Sequence, residues 1–183
     1  MPSSRLLALL LAGLVACKGG ADNASSGDPV VRPSNELIPT AAAPAGLAFA
    51  PHVQSHGTLE VPTGKGWELV DNQVEGADGT VIMLQAQSGI GTDQMNDYLA
   101  SYIDEQKRDA PKYANGATTK GTISGVPAAR VQGTFDNGTK FVTRDYVLFT
   151  KHGVVMIGGR TPAPNAAQLD GLVDYMAHSY KSK

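Results

Sequence analysis

The side chains able to do chemistry are few and scattered. One cysteine, Cys17, and four histidines, His52, His56, His152 and His178, occur among the 183 residues. A thiolate is the strongest nucleophile a side chain offers, so the setting of Cys17 matters most. It ends an apolar run, Leu6 to Ala16, which a single basic residue, Arg5, precedes. Spanning a bilayer takes about 20 apolar residues; this run is shorter and has the length of an export-signal core. Cys17 therefore stands at the end of an export signal, not in a folded cleft. His52 and His56 stand four apart, as two metal ligands on one helix would, but no cysteine or carboxylate cluster accompanies them. Ser88-Gly89-Ile90-Gly91 falls between a strand and a helix, as a phosphate loop would. Gln94 stands where G-x-G-x-x-G needs its third glycine, no P-loop lysine follows, and Asp93 would repel a phosphate. No G-x-S-x-G occurs, and nothing singles out a pair of acids. The expectation is a chain with no catalytic, metal-ligating or cofactor-binding residue, and not an enzyme.

The end of the apolar run, Leu14-Val15-Ala16-Cys17, resembles the lipobox of bacterial lipoproteins. The resemblance implies a diacylglyceryl group on the Cys17 thiol, cleavage between Ala16 and Cys17, and acylation of the new amine by a fatty acid such as palmitate. It places the protein in the bacterial cell envelope. Lys18 follows the cysteine where some bacteria read aspartate as an inner-membrane retention signal, which points to the outer membrane, facing the periplasm.

Charge excludes other partners. With Arg5 gone, 14 Lys and Arg remain against 17 Asp and Glu, so no basic field exists to draw nucleic acid or anionic lipid. Membrane attachment then rests on acyl chains, of which two or more give stable anchoring. No free thiol remains for disulfides, and stability must come from an apolar core. From Cys17 to Gln54 the chain is rich in Gly, Ala, Ser and Pro without a periodic apolar face. Such a segment buries too little to offset its ordering entropy, and it is expected to be a disordered tether between signal peptide (1–16) and domain (55–183).

Within the domain, Thr58–Val61 alternates polar and apolar as a half-buried strand does, and Trp67 opens a second as a core or rim aromatic. The third strand centres on Val81-Ile82-Met83-Leu84, apolar on both faces. Met95, Tyr98, Leu99, Tyr102 and Ile103 form one helical stripe, capped by Thr92 or Asp93 and ended by Pro111. Two strands lead to Asn137-Gly138, a two-residue hairpin signal whose register would set Arg130 opposite Asp145. Phe141–Thr150 carries Phe141, Val147 and Phe149 on one face and Val142, Tyr146 and Leu148 on the other. Val154–Ile157 is also apolar on both faces and should end at Gly158-Gly159. Leu169, Leu172, Val173, Met176 and Tyr180 stripe a closing helix, with Asn165 and Gln168 as a capping box. Strands apolar on both faces need cover above and below. The fold class is α+β, a largely antiparallel sheet of six or seven strands with one helix on each face.

Val61-Pro62 followed by Trp67, the helix after the third strand, the passage Ser124-Gly125-Val126-Pro127-Ala128, the meander and the closing helix together resemble the Mog/PsbP-like α/β/α sandwich. Bacterial envelope lipoproteins of the DcrB kind are the nearest such resemblance. It implies a protein-binding or assembly module with an envelope protein as partner, and no catalytic residues. The alternative is a carrier of a small apolar ligand held between sheet and helix. By this reading both Met83→Asp and Val155→Asp should be severely destabilising. The leader makes a prediction of its own: Cys17→Ala should block lipidation and leave uncleaved precursor. Fractionation with mass analysis checks this, and normal processing with membrane retention would contradict the lipobox.

Overall fold

The structure, a computed structural model, describes residues 36–38 and 40–183. Cys17, Ala16, the signal sequence and the spacer before Glu36 lie outside the described residues.

Strand β1 (Ala48–Val53) pairs with β2 (Gly57–Thr63), and a short β10 (Lys181–Ser182) joins on the other side of β2. The remaining strands build the main sheet: β3 (Trp67–Val70), β4 (Gln73–Gly76), β5 (Val81–Ser88), β6 (Ala114–Ile123), β7 (Val126–Asp136), β8 (Lys140–Thr150) and β9 (Gly153–Pro162). All its pairs are antiparallel, in the order β3-β4-β5-β9-β8-β7-β6. Helix α1 (Met95–Asp109) packs on one face and α2 (Ala166–His178) on the other. The expected α+β sandwich is the observed architecture, with two changes: the expected first strand, β2, leaves the main sheet to pair with β1 and β10, and the unexpected β4 takes a place in it. Among the described residues no helix is long and apolar enough to cross a membrane.

Two cores result. The larger gathers Leu59 and Val61 of β2, Ile82 and Leu84 of β5, Tyr146, Leu148, Val155 and Ile157 of the central strands, and the whole stripe of α2. The smaller joins Ala129, Val131, Val147, Phe149, Val154 and Met156 to Leu99 and Tyr102 of α1. β8 and β9 thus bury both faces, as their apolar patterns require.

Several expectations are corrected. The tether does not run to Gln54: Glu36 bridges Thr122, Ile38 is buried, and Ala48–Val53 is strand β1. Leu37, Leu47 and Phe49 pack on the larger core, and the Phe49 ring meets Tyr175 at 4.5 Å between centroids. These apolar residues show no period because each fills a separate gap. Pro51 is tolerated because β1 is an edge strand. β9 does not stop at Gly158-Gly159. A Cβ on Gly159 would come 2.8 Å from Leu169 and Val173 of α2, so glycine here lets the helix sit close. Neither helix start has a side-chain cap; short 3-10 turns at Thr92–Gln94 and Ala163–Asn165 precede them instead.

Met83 also departs from expectation. β5 buries Ile82 and Leu84 under α2, but α1 covers β7 to β9 only, and Met83 is 37% exposed. Val155→Asp should therefore cost more than about 4 kcal/mol, because it puts an unpaired charge at a fully buried position. Met83→Asp should fall within about 1 kcal/mol of the parent. Urea titration of the two variants checks the contrast; equal losses would mean that β5 is covered on both faces.

Candidate functional site: a buried carboxyl beneath helix α1

The hairpin between β7 and β8 decides where the charges go. Its loop has three residues, not two: Phe135 pairs with Phe141 and Asp136 with Lys140, leaving Asn137, Gly138 and Thr139 outside the ladder. Gly138 has φ +104°, the left-handed residue that a three-residue loop requires. One extra loop residue shifts the pairing by one, and a one-residue shift sends partners to opposite faces. Arg130 therefore lies opposite Tyr146, Asp145 lies opposite Val131, and the expected Arg130–Asp145 contact is not formed.

On the α2 face Arg130 reaches Asp170 at 3.0 Å and Asp174 at 3.8 Å, and Arg144 reaches Asp170 at 2.5 Å. The Tyr146 hydroxyl donates to Asp174 at 2.7 Å, and its own burial holds its pKa above the usual range. This half-buried network fixes α2 to β7 and β8.

On the α1 face Asp145 forms no ion pair among the described residues. It is 4% exposed, and its Oδ2 has no hydrogen-bond partner among the described residues. Burial pushes its carboxyl up to about 7; the Tyr102 hydroxyl, the Gly159 amide and the charge of Arg144 oppose that rise without cancelling it. Next to it on the same face stand Thr143, whose Oγ1 is also buried and unpartnered, and Tyr113, whose hydroxyl is too. Small residues make the room: a Cβ on Gly133 would meet the Tyr113 hydroxyl at 2.5 Å, and one on Gly158 would meet the Asp145 carboxyl at 3.1 Å. The ladder runs Val70, Gln73, Met83, Gly158, Asp145, so the carboxyl borders the sheet surface that α1 leaves bare. A buried acid with a raised pKa marks a functional candidate. The hydroxyls of Tyr102, Thr143 and Tyr113 surround it, and it can hold and release a proton there.

The histidines lie elsewhere. His52 sits in β1 and His56 before β2, not on a helix. The His56 ring is buried, its Nε2 lies 3.1 Å from the Ser88 hydroxyl, and it stands 6.2 Å from His152 between centroids. Ser88 pairs with Gly153, so the Ser88–Gly91 loop and the turn at Lys151–Gly153 are neighbours at one end of the sheet. The loop is a plain connection, with the Gly91 amide donating to the Gln94 side chain. His178 carries an unpartnered Nδ1. Among the described residues no three His, Cys, Asp or Glu side chains converge as metal ligands would. Trp67 lies over Gly76 at the rim of the larger core. Asp145 was legible as an acid but not as a site, because its isolation depends on the loop length.

The sign of its effect on stability is fixed. Asp145 is protonated longer in the folded chain than in the unfolded one, whose carboxyl has an ordinary value near 3.8. Between about pH 4 and 7 the folded state then binds more protons, and stability falls as pH rises. The loss is complete above 7 and amounts to roughly 2–4 kcal/mol. Asp145→Asn should flatten this slope and be the more stable protein at pH 8, measured by denaturation at several pH values. A variant that keeps the parent's slope would place the titration elsewhere.

No protein-family profile matches the sequence, and no curated protein does. Solved structures do. LpqN of Mycobacterium tuberculosis, involved in cell envelope biogenesis, is similar at a TM-score of 0.53 and 12% identity, over 74% of this chain and 91% of that one. A putative regulator of unknown function from Pseudomonas aeruginosa, PA94, gives 0.51 and 10%, over 74% and 97%. The cyanobacterial PsbP of Synechocystis sp. PCC 6803 gives 0.50 and 11%, over 79% and 98%. At such identities the likeness concerns the fold, which is PsbP-like.

Proposed function

We propose that this is a lipid-anchored envelope protein whose folded domain binds or helps assemble another envelope protein, without chemistry of its own. The observation that carries the reading is the bare half of the main sheet beside α1. Val70 and Met83 share a face there with Gln73 between them and are 47% and 37% exposed, one on the edge strand and one on the third strand in from it. Apolar side chains exposed on one face of a sheet, here with Gln73 between them, offer a contact surface. Support also comes from the lipobox-like leader, from the dispersal of the ionisable groups, and from a fold shared with an envelope-biogenesis protein. In this reading the acyl chains on Cys17 hold the domain at the outer membrane, facing the periplasm, and the sheet face meets the partner.

A carrier of a small apolar ligand is the second reading, favoured by the thin cover that α1 gives the smaller core. Photo-crosslinking residues placed at positions 70 and 83, with position 105 on the outer side of α1 as control, separate the two in the native envelope. A discrete protein adduct from 70 and 83 but not from 105 is expected. Adducts from all three alike, or none, would remove this surface from the proposal. Independently, substitution of each Asp, Glu, His and Ser from 55 to 183 should yield no single variant that folds normally yet loses all cellular function. One such residue would point to an active site.

A further inference from the structure

The two helices are held very differently. α2 buries Leu169, Leu172, Val173, Met176 and Ala177 and is tied by the Arg130–Arg144–Asp170–Asp174 network. α1 is two residues longer yet buries only Leu99 and Tyr102. Among the described residues every ion pair of α1 is internal: Lys107 with Asp104, and Arg108 with Glu105 and Asp109. Its polar links to the sheet are a bond from Lys120 to Asn96 and the Tyr102 hydroxyl at Asp145. The segments flanking it carry Gly89 at φ +80° and Lys112 at φ +52°.

We propose that α1 is a proton-controlled cover: it stays seated while Asp145 is protonated and lifts when that carboxyl ionises, baring the apolar floor of Ala129, Val131, Val147, Phe149, Val154 and Met156. The groups around the carboxyl set the direction. α1 offers the Tyr102 hydroxyl, the segment after it offers Tyr113, and β7 offers Val131. β9 offers the Gly159 amide, the bare Gly158 and, at the next position of that face, Arg160, which stands opposite Thr143 and contacts no acid among the described residues. β8 carries Thr143 on the same face, while the guanidinium of Arg144 is engaged with Asp170 on the other. Among the described residues no cation contacts the carboxyl, so an ionised carboxylate there needs water. The sheet cannot supply it without breaking ladder hydrogen bonds on three strands. Lifting a helix held by two buried side chains is the smaller change.

The inference stands apart from the binding-module reading and is tested on the protein alone. Amide exchange of the full chain is followed at pH 5.5 and 8.0, corrected for intrinsic rates, with peptides from 95–109 and 166–178 compared. Protection of α1 should fall on the order of tenfold more than that of α2 as pH rises, and Asp145→Asn should remove the difference. Parallel changes in the two helices, or a pH response that survives Asp145→Asn, would overturn the proposal. Tyr102→Phe is the second variant, since it keeps the ring and removes a hydroxyl that favours the ionised acid. It should move the midpoint of the α1 transition to higher pH, and an unmoved midpoint counts against the mechanism.

Discussion

Everything in this domain follows from two adjacent strands that are apolar on both faces. β8 and β9 place Val147, Phe149, Val154 and Met156 on one side and Tyr146, Leu148, Val155 and Ile157 on the other. Neither side can be left to water, so the chain must cover the sheet twice. It does so with one helix from before the meander and one from after it. The four strands β6 to β9 are joined by short turns, which leaves only the two ends of the meander free to fold back over it. The sandwich is the topology that satisfies both demands.

The two covers are unequal. The α2 side recruits β2, the segment from Leu37 to Phe49 and Tyr180, and glycine at 159 lets the helix approach closely. Packing at that distance turns small mismatches into lost contacts, so this side specifies one arrangement. Among the described residues the α1 side has a single helix over the centre and nothing over β3 to β5, where Val70 and Met83 meet solvent. Surfaces and elements that change partners are drawn from the less stable part of a fold, and here that part is one face of one sheet.

The sequence made the covers legible and the margins obscure. Helical stripes at Met95–Ile103 and Leu169–Met176 are long enough for their period to be unambiguous, and both pack where that period requires. Tyr180, expected in the second stripe, is buried but follows the helix end at His178. The four residues of β4 and the scattered apolar positions from Leu37 to Phe49 carry no period, since tertiary neighbours alone give them an environment. Met83 shows a further limit: an apolar run says that a strand suits burial on both faces, not that a helix reaches it. The hairpin at Asn137-Gly138 is the most instructive case. The dipeptide specifies a turn with a left-handed glycine, but two- and three-residue loops share that need. The difference of one residue moves Arg130 and Asp145 apart.

That one residue also sorts the electrostatics of the molecule. With the observed register Arg130 and Arg144 both fall on the α2 face, where Asp170 and Asp174 meet them. Asp145 falls on the other face, where Arg160 and Lys120 also stand but no cation contacts the carboxyl among the described residues. Had the loop been shorter, Arg130 and Asp145 would have neutralised each other across the strands, and the α2 network would have lost one of its two cations. As built, the strongly packed face is also the paired one, and the lightly packed face holds a buried acid that titrates near neutrality. Packing and charge therefore weaken the same side of the sheet. A domain whose two faces answer so differently to a proton can keep its fold on one side while it exchanges its cover on the other.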